Sequence, residues 1–462
     1  MANPQVKLVA LQTFLDDFPH ITCVTPSSPN YTSLRHIFAS DKEAIPLAIV
    51  RPKSAADVSL LIKFAVSNSI RITVRTGGHN LSGLCFAQDA LTIDMRDIAY
   101  VDIAADKETV RIGGGIIQLD LALALDKEGL ATPMGTCVTV GHVGWATYGG
   151  YGPFSSHWGL GVDQIVGAKI VNASGNVVEA DERLLRGLRG GGGLFGVVVE
   201  LTIKVYRIRT VLTGALLLES QNLATTFKEF SVGYQDLSDK GLPSELLLQP
   251  CVMSLPQGRV IVINFMWSSE DMVAGRRWLA KVEALVPIAI NTVTVTTIPD
   301  LMNASVSGAP ESAYGVTCTH SLKKITSEVA AVIGDNFSGM GDDCLFTLHE
   351  LRGVSASANK DSVFATREPH FMLEILGYST TAENRDASAA WAEKTWREVG
   401  QTDPSNVLPG TYISLDHSAS KPVSMPFSRH YGPYHEELRA LKREFDPEDV
   451  FALAVPILSN YT

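Results

Sequence analysis

The sequence predicts an α+β chain in two parts, and three observations lead there. Between residues 43 and 209, short apolar runs alternate with helical stretches, and three of the joins are crowded with glycine. From 210 to 420 the glycine-rich turns become rare, and longer strand-like runs alternate with helical ones, the pattern of an antiparallel sheet covered by helices. After 420 a charged helix closes the chain. The expected division is therefore 1–209 with 421–462, two α/β subdomains, and 210–420 as a separate unit.

The elements follow in order. Residues 1–42 are expected to form a short helix and a loop. The apolar run 46–51 is a strand, and Ser54 behind it offers a side-chain oxygen to the first free NH groups of a helix. That helix carries an apolar stripe of Val58, Leu61, Ile62, Ala65 and Val66. A second strand, 70–74, runs directly into Thr76, Gly77, Gly78, His79 and Asn80. Further strands are expected at 91–94 and 109–112, and the glycines 113–115 open a helix over about 117–127. The segment 135–152 (GTCVTVGHVGWATYGGYG) holds too many glycines for an ordinary helix or strand. Runs 165–171 and 177–180 form a hairpin around 173–176, and 197–206 is strongly β. The last helix begins at Pro433 and stops at Asp446, because Pro447 disfavours helical backbone before it.

Composition narrows the classes of function. Of 462 residues, 45% are hydrophobic and 19% charged, a globular balance. A formal net charge of −11, with no cluster of Lys and Arg, speaks against nucleic acid as a partner. No stretch is long and apolar enough to span a bilayer, and the N-terminus lacks the pattern of a signal peptide, so a cytoplasmic protein is expected. Six cysteines are scattered without CxxC spacing, which argues against a zinc site; Cys23 and Cys85 are a conceivable disulfide pair. The triplets at Asn30, Asn303 and Asn336 are chance matches to glycosylation acceptors.

Two glycine-rich segments carry the chemistry. His79 follows a strand and two glycines, a tight turn that exposes a side chain beside free NH groups. Cys137 opens the second segment. Alone, the histidine is a surface residue and the cysteine a small buried hydrophobe. Their joint occurrence with a third glycine-rich segment overturns both. That third segment, 189–196, matches GxGxxG, but a helix precedes it and a strand follows, the reverse of a Rossmann loop. Its glycines are expected to bring backbone NH groups close to a pyrophosphate.

With these segments in this order, the chain resembles the vanillyl-alcohol-oxidase superfamily, with its FAD-binding domain of the p-cresol-methylhydroxylase type. Within it, the chain looks like the berberine-bridge-enzyme-like and 6-hydroxy-D-nicotine oxidases. The resemblance covers about 43–210 and 425–455 well and the middle loosely. The histidine of R-x-G-G-H, which bonds the flavin 8α-methyl carbon in that family, matches His79, and the cysteine of G-x-C-x-x-V-G, which attaches to flavin C6, matches Cys137. The resemblance thus implies FAD as cofactor in double covalent linkage. Residues 189–198 match R-G-G-G-G-x-F-G-V-V, and Lys442, Asp446, Pro447, Glu448 and Phe451 match the closing motif. Cofactor contacts are expected from Arg75, Thr76, Gly77, Gly78, Asn80, Ser82, Val140, Gly141, Gly144, Trp145, Gly149, Gly152, Val198 and Tyr431. The chain departs from the family at His142 to Trp145, Tyr148 to Gly152, Ser414 and Tyr434, which bears on substrate rather than flavin.

For catalysis a base must remove a proton as a hydride leaves. Glu374, on the strand-like run 371–378, falls where some relatives place one; on an alternating strand it could equally face solvent. Tyr412 is the second candidate, and Tyr148, His142 and Trp145 could shape the flavin edge, His142 in a structural role. The resemblance implies oxidation of a small organic substrate, an alcohol, an amine or a polycyclic secondary metabolite, with O₂ as electron acceptor. A redox-neutral FAD-dependent cyclase or pericyclase and a sugar oxidase are the alternatives.

Overall fold

The structure, a computed structural model, describes residues 3–40, 42–306, 310–357, 361–416 and 426–461. The expected division at 420/421 lies outside these residues. Three main sheets organise the chain. The first has four strands in the order Thr22–Val24, Ala48–Arg51, Leu91–Asp94, Ile72–Arg75. Its three inner pairings are mixed: Thr22–Val24 is antiparallel to Ala48–Arg51, and the other strands run parallel. The edge strand Thr22–Val24 falls where only a helix and a loop were expected. A three-residue strand carries too short a pattern to stand out.

The helix Ala55–Ser67 lies against this sheet, and the Ser54 hydroxyl accepts from Asp57 N at 3.1 Å as its cap predicts, a contact worth about 1 kcal/mol. Val58, Leu61, Ile62 and Ala65 are buried, whereas Val66 has turned past the edge of the stripe and is 44% exposed.

The second sheet is antiparallel, in the order Val101–Ile103, Thr109–Gly113, Val197–Lys204, Ile165–Val171, Val177–Glu179. The expected hairpin forms its far edge. The closing helix runs His435–Phe445, two residues later than Pro433, behind a short 3₁₀ turn, and packs on the helix Glu182–Gly191.

The third sheet is large: Ile288–Asn291, Val211–Leu218, Gly258–Trp267, Leu246–Leu255, Leu345–Leu351, His370–Ser379, Tyr314–Leu322, with Thr294–Thr296 pairing to Val211–Leu218. Strand alternation divides its two faces. Leu248, Val252, Ile261, Ile263, Phe346, Leu348, Phe371, Leu373 and Ile375 are buried in one core with Phe227, Phe230, Val329, Ile333 and Trp391 from the covering helices. Each such side chain contributes roughly 1.5–3 kcal/mol on burial, which fixes the register of every strand. The opposite residues, Gln249, Cys251, Asn264, Thr347, His349, Met372 and Glu374, face a cavity that the helix Ile298–Val306 borders with Leu301 and Ala304.

Candidate active site

A cavity of about 1640 Å³ opens between that sheet face and the glycine-rich loops. The loop after Ile72–Arg75 supplies Arg75, Thr76, Gly77, Gly78, His79 and Asn80 to its wall, and the second glycine-rich segment supplies Cys137, Thr139, Val140, Gly141, Gly144 and Trp145. The two loops meet backbone to backbone. A Cβ on Gly77 would lie 2.3 Å from the Thr139 carbonyl oxygen and 2.4 Å from Gly141 N, and one on Gly141 would lie 2.5 Å from the Thr76 side chain. Only residues without a side chain permit this approach.

The approach brings His79 and Cys137 to one hydroxyl. His79 Nε2 is 2.7 Å from Thr139 Oγ1, and Cys137 Sγ is 4.0 Å from the same oxygen. The imidazole stacks on Phe38, with ring centroids 5.2 Å apart and planes at 23°. Burial, and then the Arg75 guanidinium, lower the His79 pKa to about 4, so the ring is neutral near pH 7. Arg75 is buried and donates to the carbonyls of Leu34 and His36.

The segment 135–152 is more regular than its glycines suggest. His142–Thr147 forms a short helix, with Trp145 donating to the Tyr151 carbonyl at 3.0 Å and His142, 1% exposed, paired with Gln118 Oε1 at 3.0 Å. Burial lowers the His142 pKa to about 3.

On the sheet side, the alternation turns Glu374 inward. Its Oε2 is 3.0 Å from His349 Nε2, and both side chains are 19% exposed. Gln249 Nε2 lies 3.2 Å from His349 Nε2 and 3.0 Å from Thr347 Oγ1, which in turn is 3.1 Å from Cys251 Sγ. Around this polar row the wall is apolar: Leu217, Leu247, Met253, Val262, Met266, Leu345, Met372 and Leu376. Tyr378 lines the cavity too, its hydroxyl 2.9 Å from Thr317 Oγ1. His349, Gln249 and Thr347 were not foreseen from the sequence, although the period-2 pattern of 345–351 would have put Thr347 and His349 on one face.

Of the other expected site residues, Tyr412, Tyr148 and Val198 also line the cavity. The Tyr412 hydroxyl accepts from Gly150 N at 3.3 Å, and burial raises its pKa. The Tyr148 hydroxyl donates to the Val455 carbonyl at 2.7 Å and accepts from Gly193 N at 3.2 Å; burial pushes its pKa up to about 12. That hydroxyl is occupied by backbone on both sides, which suits a tie rather than a base. Ser82, Gly149, Gly152 and Tyr431 are not brought to the wall. Tyr431 sits in the core and donates to the Gly190 carbonyl at 3.1 Å, and a Cβ on Gly152 would meet the Met134 carbonyl at 2.1 Å. The third glycine run is likewise mostly packing. A Cβ on Gly192 would lie 2.2 Å from the Tyr148 ring, and only Gly193 and Gly196 of residues 190–196 reach the cavity. Cys23 and Cys85 are free thiols.

The wall fits a large planar nucleotide cofactor. At Gly144 a Cβ would meet nothing within 4 Å, so the helix presents bare backbone to open space, and Arg75 Nε is buried with no hydrogen-bond partner among the described residues. Among those residues no group of His, Cys, Asp and Glu could hold a metal ion, and no helix is long and apolar enough to cross a membrane.

Glycine loops locked together over a cavity, facing a helix-backed antiparallel sheet, give the frame of a site for a large cofactor and a small substrate. Comparison with known proteins identifies a flavin-dependent oxidoreductase. Residues 46–181 match the FAD binding domain family. The FAD-linked oxidoreductase aurO of Gibberella zeae is 37% identical over 449 residues, 96% of this chain and 86% of that protein. The (R)-6-hydroxynicotine oxidase of Paenarthrobacter nicotinovorans is 35% identical over 196 residues, 41% of this chain and 43% of that protein. Among solved structures, 6-hydroxy-D-nicotine oxidase from Arthrobacter nicotinovorans superposes with a TM-score of 0.81 at 22% identity, covering 94% of this chain and 97% of that one. A chitooligosaccharide oxidase gives 0.83 at 19%, covering 96% and 98%. The chain belongs to the FAD-linked oxidoreductases.

Proposed function

We propose that this enzyme is an oxidase that holds FAD by two bonds, from His79 to the 8α-methyl carbon and from Cys137 to C6, and oxidises a small, largely apolar organic alcohol, amine or polycyclic metabolite at the expense of O₂. The observation that carries the reading is the shared Thr139 hydroxyl, which holds a neutral imidazole and a thiol on one wall of the cavity whose other wall carries Glu374. Bound FAD supplies a two-electron acceptor. The protein's own residues do the rest. Glu374 takes the proton from the substrate hydroxyl or amine as the hydride departs, and His349 beside it holds the carboxylate in place and shares that proton. Tyr412 and Tyr378, kept neutral by burial, border the reacting centre as hydrogen-bonding groups. The apolar wall excludes water and favours a substrate with a hydrocarbon or aromatic body.

The relatives that carry names as oxidases of a hydroxynicotine and of chito-oligosaccharides support oxidase chemistry and leave two substrate classes in view. The apolar residues around the polar row favour the first class. Anaerobic mixing with an aromatic alcohol panel and with an oligosaccharide panel decides between them. Bleaching of the flavin band by aromatic alcohols and not by sugars is expected. Bleaching by sugars alone would overturn the substrate class, and turnover of a substrate with no bleaching at all would move the enzyme to redox-neutral cyclisation.

A further inference from the structure

We infer that Thr139 is the positioning residue for flavin attachment: its hydroxyl accepts the Nε2–H of His79, which leaves the lone pair, and with it the bond-forming role, on Nδ1. The inference rests on the covalent reading above. Its grounds are geometric. Thr139 Oγ1 stands 2.7 Å from Nε2, and Nδ1 has no hydrogen-bond partner among the described residues. Phe38 stacks on the ring and restrains it from turning. The Thr139 backbone is itself immobilised, since its carbonyl oxygen presses where a Cβ of residue 77 would be. A neutral imidazole has one N–H and one lone pair, so whatever fixes the hydrogen on one nitrogen fixes the nucleophile on the other.

The chemistry balances at this hydroxyl. Attachment replaces one C–H bond of the flavin methyl group by a C–N bond. The methyl carbon gives up a proton, the imidazole gives up its Nε2 proton, and two electrons pass to the flavin and on to O₂, which becomes hydrogen peroxide. Nε2 then carries a lone pair, and a hydroxyl can turn from acceptor to donor without moving its oxygen. The same oxygen is 4.0 Å from Cys137 Sγ, so one hydroxyl stands beside both side chains.

The test uses the full-length holoenzyme and its Thr139→Val, Thr139→Ser and Thr139→Ala variants. Total bound flavin is read from absorbance before denaturation, and the fraction of His79 peptide carrying flavin by mass spectrometry after digestion. Thr139→Ser should match wild type. Thr139→Val should bind flavin but carry the histidyl bond on a fraction of chains lower by on the order of fivefold, the equilibrium worth of one neutral hydrogen bond. Thr139→Ala, which needs no added room, carries the same expectation should valine disturb the loop. A Val or Ala variant linked as fully as wild type would overturn the role of Thr139. An unmodified His79 peptide in the wild type would instead overturn the attachment itself, and this inference with it.

Discussion

The two walls of the cavity are built on opposite principles. The loop wall is made of residues close in sequence to a glycine signature: His79 lies two residues after Gly77, and Cys137, Thr139 and Gly141 share one turn. Its precision comes from main chain pressed against main chain. The sheet wall is assembled from Gln249, Thr347, His349 and Glu374, on three strands far apart in the chain, and its precision comes from strand register held by the helix-covered core. A wall of the first kind tolerates almost no change, because a single methyl group meets backbone. A wall of the second kind tolerates exchange of any one side chain that points into the cavity, and so can be re-tuned to new substrates while the fold stands.

Substitutions can break or sharpen that contrast. Glu374→Gln should lower the rate of anaerobic flavin reduction about a hundredfold, the usual scale for loss of a catalytic base, with flavin content and melting temperature unchanged. An unchanged reduction rate would remove Glu374 from catalysis. Gly77→Ala should do the reverse, costing about 2 kcal/mol of stability and depleting bound flavin, since the added carbon meets the Thr139 carbonyl and Gly141 N. A variant with wild-type melting temperature and flavin content would show that the loops yield. His349→Phe should slow reduction roughly tenfold, because the partner that holds the carboxylate is gone; an unchanged rate would make His349 packing only.

A separate expectation concerns acid. His142 has its pKa lowered by burial to about 3, against 6.5 in an unfolded chain, so the unfolded state binds the extra proton first. Its contribution to stability is therefore complete above pH 6.5 and is lost as the pH falls towards 3. The melting temperature of wild type should drop over that window, and that of His142→Asn, which keeps a donor for Gln118, should drop less steeply. Parallel curves for the two proteins would contradict this assignment.

The same contrast explains what the sequence alone made visible. The loop wall was legible because its chemistry and its glycines are local: His79, Cys137 and most of their neighbours were expected at the cavity and line it. The glycines at 149, 152 and 190–192 look the same in one dimension, yet they serve packing against Phe364, Met134, Leu438 and Tyr148, and nothing in the sequence distinguishes a glycine that faces a ligand from one that faces a neighbour. On the sheet wall, alternation could say that Glu374 shares a face with Met372 and Leu376 but not which face, because the strand is apolar on both sides. His349 stayed hidden because its partner is on the adjacent strand. The short strand Thr22–Val24 and the helix His142–Thr147 escaped because neither is long enough to show a period.

Acid precipitation probes the heart of the account, namely that imidazole and sulfur act on one bound ring. Wild-type protein should give a yellow pellet, His79→Ala and Cys137→Ala should each keep part of the colour, and the double variant should leave all of it in the supernatant. A colourless wild-type pellet, or a yellow one from the double variant, would contradict attachment at these two side chains.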